Sequence, residues 1–411
     1  MKTEKIKIGL FGFGVVGQGF YELVKKRAPD KIDIIRIAVK NPKKERSLDQ
    51  SAFTYDYKEL LYSPDLELVV EATDDEKAGY EIIKTALLKG IPVVSANKKL
   101  LALHLEEFIA LSKETNTPLL YEAAAAAAIP IITSLDAYFQ HEPIKELRGI
   151  INGTTNYILS QMLAEGITFT EALKQAQDLG FAESNPKNDV DGFDAAYKLS
   201  LLSAHAFDQV VGHEDIIRYG IRFITAEDHL FAKNNNQVIK LVAHAFPSGD
   251  GIIGLVLPTL LNLEDELANV SAEFNAVTVN AYDSGRHFFK GKGAGAFPTG
   301  SAILKDVFKA FSGGYSYAKL KGNNSSNDIE LELVIRNNSE NSNANLDWLT
   351  KESVPKDSKL IKGWIKLSAL KSRIIQLENE GIGILFTGKT RALIVDKADL
   401  SEIENNAFMK T

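Results

Sequence analysis

The chain has 411 residues, 45% hydrophobic and 25% charged, which is enough for two or three domains with apolar cores and unlike a disordered or fibrous sequence. A formal net charge of −7 without long Lys/Arg blocks speaks against nucleic acid and for a small-molecule partner. The absence of cysteine excludes disulfides, thiolate metal ligands and dehydrogenases that form a thioester, and the seven histidines show no H-x-H or H-E-x-x-H spacing, so no zinc site is expected. The start Met1–Lys7 lacks the apolar core of a signal peptide, and the longest apolar stretch, 123–132, is interrupted by Pro130 and too short to span a bilayer. A cytoplasmic protein with no membrane partner is expected.

In chain order, the alternating segment Lys5–Phe11 reads as a strand that runs into Gly12-Phe13-Gly14-Val15-Val16-Gly17 and then into an apolar-periodic helix. In that context the glycine pattern carries chemistry. Gly12 permits the tight turn, Gly14 leaves the backbone bare for a pyrophosphate, Gly17 allows close helix–strand packing, and the free N–H groups of the helix start receive the anion. Strands are predicted over Ile32–Val39, Leu66–Glu71 and Pro92–Ser95 with helical patterns between them such as Tyr80–Lys89, the rhythm of a parallel sheet covered on both faces. From about Asp136 longer helices follow, Tyr157–Glu165, Thr170–Asp178 and Asp194–Phe207, then strands over Val238–Phe246 and Phe274–Ala281. After the glycine-rich run 291–299, a helix over Gly300–Phe311 is expected to return to the first domain. Lys321–Asp328 reads as a linker and Asn337–Asn345 as a second polar patch, around strands Ile329–Ile335, Leu360–Lys366 and Gly381–Phe386 and a helix Leu367–Asn379. The fold class is therefore α/β: a Rossmann-type, doubly wound parallel sheet (1–135, with 295–320 returning to it), an α+β domain (136–294) and a small C-terminal β-α-β appendage (325–411).

The acidic residue that usually binds the ribose 2′-hydroxyl after the second strand is missing, and Lys40 stands there with Lys43, Lys44 and Arg46 beyond. That replacement leans toward NADP, or else marks a solvated turn. Lys98 follows the Val93–Ser95 strand at the sheet edge where ligands lie, and so points toward substrate or nicotinamide. The densest polar cluster is 181–198, in which Asp194 and Lys198 share a helix face and Asp191 is expected on the same stripe one turn earlier. Leu199, Leu201, Leu202, Ala204 and Ala206 cover more than one face, predicting a largely buried helix whose carboxylates and lysine serve amine binding and proton transfer.

The glycine turn, Val94-Ser95-Ala96-Asn97-Lys98, Tyr121-Glu122-Ala123, Asn152-Gly153-Thr154-Thr155-Asn156-Tyr157, the 183–198 block, and Gly293-Ala294-Gly295 with Pro298-Thr299 occur in that order. Together they resemble homoserine dehydrogenase over roughly three quarters of the chain, without a fused aspartokinase. The resemblance implies reversible NAD- or NADP-dependent conversion of L-homoserine and L-aspartate 4-semialdehyde in threonine and methionine biosynthesis, by a homo-oligomer whose middle domain is catalytic and dimerising. It assigns catalysis to Lys98 and Lys198 with Asp194, and substrate binding to Glu183, Asp189 and Lys198. Cofactor contacts fall on Gly12, Phe13, Gly14, Val15, Val16, Gly17, Lys40, Thr73 and Lys98. It also implies a monovalent cation such as sodium on the segment bearing Glu122, Ala125, Ala127 and Ile129, although alanines stand at 126–128 where many relatives have glycine, and a positive φ is costly for alanine. A second departure is Ala72-Thr73-Asp74-Asp75, where relatives often have a glycine pair. The appendage has room for an ACT-like regulatory piece. The alternatives are another two-domain NAD(P)-dependent amino-acid reductase or a non-catalytic NAD(P)H-sensing module.

Overall fold

The computed structural model describes residues 4–313, 320, 324–325, 329–336, 346, 348–353 and 359–392, which fall into two compact units, 1–325 and 326–411. In the first unit a parallel six-stranded sheet is laid down by β1 (Ile6–Phe11), α1 (Val15–Arg27), β2 (Ile32–Ala38), β3 (Phe53–Thr54), α2 (Tyr57–Leu61), β4 (Leu68–Glu71), α3 (Glu76–Leu88), β5 (Val93–Ser95), α4 (Lys98–Glu114) and β6 (Leu119–Leu120). The strand order β3-β2-β1-β4-β5-β6 is that of the doubly wound dinucleotide fold, whose ligands lie beyond the carboxyl ends of the strands. Its helices start where short polar side chains satisfy free amides: Asp75 accepts the N–H of Ala78 for α3, and Asn97 that of Leu100 for α4.

Two short helices, α5 (Glu122–Ala126) and α6 (Ile131–Ala137), lead out of this sheet into β7 (Ile144–Ile150), α7 (Gly153–Glu165), α8 (Phe169–Asp178), α9 (Lys187–Val190), α10 (Phe193–Phe207), β8 (Ile217–Arg218), α11 (Ala226–Asn234), β9 (Gln237–Asn262), β10 (Phe274–Ala281) and β11 (Arg286–Lys292). The order β11-β10-β7-β9 is antiparallel throughout, and α7 and α10 pack on it. β9 runs far past the predicted end at Phe246 because it folds back on itself near Gly249 (φ 58°), so that Gln237 donates to Asn262 at 2.9 Å. The proline and glycines of 247–251, which read as the end of a strand, make a bend inside one.

α12 (Ala296–Ser312) is the returning helix: Ala302, Ile303, Leu304, Val307 and Ala310 join Ile8, Leu10, Phe20, Val70 and Val94 in one buried cluster. Close approach to α1 depends on two glycines. A Cβ on Gly19 would lie 2.2 Å from the Ala296 carbonyl oxygen, and one on Gly300 2.7 Å from the Phe20 nitrogen. β12 (Asn324–Ser325) pairs with the bend of β9, and the rest of the expected linker, 321–323 and 326–328, lies outside the described residues, as does the polar patch 337–345.

The second unit is an antiparallel sheet of β13 (Ile329–Arg336), β14 (Trp348–Ser353), β15 (Leu360–Lys366) and β16 (Gly383–Ala392) in the order β16-β13-β15-β14, with α13 (Leu367–Asn379) between β15 and β16. Because β15 and β16 both run against β13, the β15-α13-β16 crossover is a parallel unit split by an intervening strand. β14 has no counterpart in the elements predicted from sequence. No helix among the described residues is long and apolar enough to cross a membrane.

Gly19→Ala is expected to destabilise the first unit by about 1–3 kcal/mol, since the new methyl must separate α1 from α12. Denaturant unfolding measures this, and an unchanged midpoint would contradict the packing.

Candidate functional site

The glycine turn behaves as its three positions require. A Cβ on Gly12 (φ 100°) would lie 2.2 Å from the Ala72 carbonyl oxygen and one on Gly17 2.3 Å from that of Gly12, while one on Gly14 would meet nothing within 4 Å. The first and third glycines are therefore demanded by packing and the second by nothing within the chain, which leaves an open cradle at the N-terminus of α1. Gly14 caps that helix without a side-chain hydrogen bond, so its first amides remain available to an anion. Val15 is exposed beside them and Val16 half-buried, whereas Phe13 turns into the core edge-on to Tyr21 and Phe53.

Across β4 and β5 a buried carboxylate organises the next two turns. Glu71 accepts Ser95 Oγ (2.6 Å), Thr73 N–H (2.9 Å) and Thr73 Oγ1 (2.6 Å), and Asn97 Nδ2 donates to the Thr73 carbonyl at 3.0 Å. Burial pushes the Glu71 carboxyl above its ordinary range despite these bonds. The hydroxyl of Thr73, a residue expected to contact the cofactor, is directed at Glu71. Asp75 is drawn to the start of α3 and to Lys40, whose ammonium it accepts at 2.8 Å, so one of the two unexpected acids is occupied within the protein.

The same framework makes Lys98 the first residue of α4, where a cation is opposed by the helix dipole. Its counter-charge comes from the other layer. Asp194, in the first turn of α10, is 2% exposed and accepts an ion pair from Lys98 on Oδ1 and from Lys198 on Oδ2, the latter at 2.8 Å. Lys198 also donates to the Ile151 carbonyl at 2.8 Å. Asn152, at the end of β7, caps α7 with its Oδ1 and donates from Nδ2 to Asp189 Oδ1 (2.7 Å) and Asp194 Oδ2 (2.8 Å).

Burial acts to raise the Asp194 carboxyl, but the charges of Lys198 and Lys98 outweigh it and hold the group far below the usual range. Burial pulls the Lys198 ammonium below 10.5 against the attraction of Asp194, whereas the charge of Asp194 holds Lys98 above 10.5. Asp189 is raised by burial and then by the neighbouring Asp194 charge. Two lysines with unlike proton affinities thus share one carboxylate. Lys98, with its side chain 44% exposed against 8% for Lys198, faces the open side.

Glu183 lies exposed in the loop between α8 and α9, and its charge reaches Lys98. That loop is tied to α7 by Thr154 Oγ1, which donates to the Phe181 carbonyl at 2.6 Å. Asp191 does not share the Asp194–Lys198 stripe: Gly192, with φ 81°, breaks the chain between α9 and α10 and turns Asp191 to an ion pair with Arg222. Sequence reasoning named Asn152 only as part of a motif, although an Asn before Gly-Thr-Thr is a helix-cap signal.

Of the four residues expected around a monovalent cation, Glu122 is committed to α6, its two carboxylate oxygens accepting Ile132 N–H (2.9 Å) and Thr133 N–H (2.8 Å). The Ile129 carbonyl accepts Ile131 N–H at 2.8 Å. Ala125 and Ala127 sit at the end of α5, where helix carbonyls lack intrahelical partners and offer the neutral oxygens that hard cations take. Ala127 adopts φ 47° and ψ −104°, so the alanine run accepts the positive φ at a cost in strain. The fit is partial.

A family model described as homoserine dehydrogenase matches residues 130–308, and one described as the homoserine dehydrogenase NAD-binding domain matches residues 12–122. The chain belongs to the homoserine dehydrogenase family. Homoserine dehydrogenase of Bacillus subtilis is 36% identical over 314 residues, covering 74% of this chain and 72% of its own length. Among solved structures, a homoserine dehydrogenase from Thiobacillus denitrificans superposes with a TM-score of 0.81 at 28% identity, over 94% of this chain and 99% of its own. A hyperthermophilic archaeal homoserine dehydrogenase in complex with NADPH gives 0.65 at 26% identity, over 76% and 100%. The chain is accordingly an NAD(P)-dependent oxidoreductase, and the open cradle at Gly14 lies within the stretch matched by the NAD-binding family model.

Gly14→Ala is expected to leave the unfolding midpoint unchanged yet weaken NAD(P)H binding about tenfold or more, roughly 1.4 kcal/mol. Fluorescence titration of the reduced cofactor measures it, and wild-type affinity would place the pyrophosphate elsewhere.

Proposed function

We propose that this homoserine dehydrogenase works through Lys98, Asp194 and Lys198, with Glu183 and Asp189 gripping the substrate. The observation that carries the reading is the buried Asp194 held between lysines from two layers, the α4 edge of the nucleotide-binding sheet and the α10 helix. When bound, the nicotinamide supplies or accepts the hydride; the chain manages protons and charge. With both lysines protonated and Asp189 and Asp194 ionised, the cluster is neutral, and Glu183 makes it net negative. That charge favours the α-ammonium of homoserine. Lys98, kept charged by Asp194, polarises the oxygen of the reacting carbon, and Lys198, lowered by burial, exchanges the proton at Nζ. Asn152 keeps Asp189 and Asp194 in register for both tasks.

The Ala125 and Ala127 carbonyls are the part of the cation reading that the backbone supports, and no step depends on it. A homo-oligomer in the cytoplasm completes the reading. Intact Lys98, Asp194 and Lys198 favour catalysis over a merely sensing module.

Lys198→Met should lower homoserine oxidation by at least about 100-fold while cofactor affinity stays near wild type. The pH dependence has a definite sign. Since Lys198 is lowered, oxidation, which needs its neutral amine, rises as pH climbs through that lowered value, and aldehyde reduction, which needs the ammonium, falls over the same window. Initial rates in both directions from pH 6 to 10 check this, and parallel profiles would remove Lys198 from the proton transfer.

The Lys40 side chain is 85% exposed just after β2, and its ammonium, paired with Asp75 on one side, presents its remaining N–H donors to a 2′-phosphate. Lys40→Asp is expected to lower the NADP-to-NAD ratio of kcat/KM about tenfold, the loss of roughly one charge-assisted contact. An unchanged ratio would make the basic cluster a solvated turn.

A further inference from the structure

Lys240, on β9, is 4% exposed and is paired with no carboxylate among the described residues. A buried ammonium without a counter-ion is costly, so its hydrogen bonds show what it is for. It donates to the Val270 carbonyl at 2.7 Å, to Asn156 Oδ1 at 2.9 Å and, more weakly, to Ser160 Oγ at 3.4 Å. Asn156 and Ser160 are one turn apart on α7, so the ammonium holds the start of that helix against the turn before β10. Asn156 adds two donations of its own from Nδ2, to the carbonyls of Val270 and Phe274, each at 3.1 Å.

The contact leads directly to the reacting cluster. The N–H of Asn156 donates to the carbonyl of Asn152 at 3.3 Å, closing the first turn of α7, and Asn152 is the residue whose side chain holds both Asp189 and Asp194. Gly153, between them, has no room to drift: a Cβ there would lie 2.7 Å from the Glu273 carbonyl oxygen. The charged and titratable groups felt at Lys240 are His229 on α11 and Lys290 on β11, neither of which can neutralise it. His229 is 5% exposed, its ring nitrogens make no hydrogen bond among the described residues, and it is pushed down to about 4 by burial and by Lys240. Burial and Lys290 bring Lys240 itself down to about 8, as expected of a cation held by neutral acceptors alone.

We propose that Lys240 is a positioning residue for the reaction: through Asn156 it fixes the first turn of α7 and so holds the Asn152 amide on Asp189 and Asp194. It touches neither substrate nor cofactor. The inference rests on the roles given above to Asp189, Asp194 and the two lysines.

The test uses the full chain with Lys240→Met, Lys240→Arg and Ser160→Ala, each checked for folding by circular dichroism and followed by steady-state kinetics with homoserine and by NADPH titration. Lys240→Met is expected to lower kcat about 10- to 100-fold and raise the KM for homoserine, as a small displacement of reacting groups does, with cofactor affinity unchanged. Lys240→Arg should restore most of the lost rate, and Ser160→Ala should show a smaller loss of kcat in the same direction. Wild-type kcat in Lys240→Met, or an equal loss of rate and cofactor affinity, would overturn the proposal. If the Met variant does not fold, an unchanged kcat in Ser160→Ala overturns it. Activity retained by Lys198→Met would strike the reading of the site itself, whereas an inactive Lys198→Met beside a fully active Lys240→Met strikes this inference alone.

Discussion

One buried carboxylate governs the arrangement of this protein. Asp194 is removed from water and would be strongly destabilising if left alone, so it requires cationic partners close by. It receives one from its own helix, Lys198 a turn later, and one from the opposite layer, Lys98 at the start of α4. The second pair is also the solution to a separate problem, since a lysine at a helix N-terminus is opposed by the dipole. Each charge compensates the other, and the edge of the nucleotide-binding sheet is thereby joined electrostatically to α10.

Keeping three charges in this geometry demands rigid support on both sides. On the α10 side every residue from Asp194 to Ala204 is buried, so the helix cannot rotate without exposing apolar surface. Asn152 adds direction by spending both ends of its amide, one on the cap of α7 and the other on two carboxylates. On the α4 side Glu71 plays the corresponding part, gathering Ser95 and Thr73 so that the turns after β4 and β5 are set together. Fully satisfied buried polar groups of this sort specify one arrangement and penalise alternatives.

The nucleotide face is shaped by a different means, the removal of side chains. Gly12 and Gly17 allow the backbone to pack on itself, Gly19 and Gly300 let α12 lie close on α1, and Gly14, among these five, leaves space that the protein does not fill. The returning helix thus completes the core of the parallel sheet with residues that follow the antiparallel sheet in the chain.

Much of this was legible from the residues. The β-α rhythm and glycine turn announced the parallel sheet, because hydrophobic periodicity and φ requirements act locally; the helices at 193–207 and 367–379 and the strand Phe274–Ala281 follow from the same local signals. The i,i+4 spacing of Asp194 and Lys198 put them on one face by helix geometry alone. Other features have no local signal. Asp191 stands three residues before Asp194, yet a left-handed Gly192 sends it to Arg222, and β9 continues through a proline and glycines because pairing decides where a strand bends. The direction of the Thr73 hydroxyl, the commitment of Glu122 to α6 and the double grip of Asn152 rest on partners from 2 to 42 residues away. Spacing and propensity determined which elements form and which residue types could do the chemistry; only tertiary packing decided which carboxylate would be buried between which lysines, because desolvation and charge pairing exist only once distant segments meet.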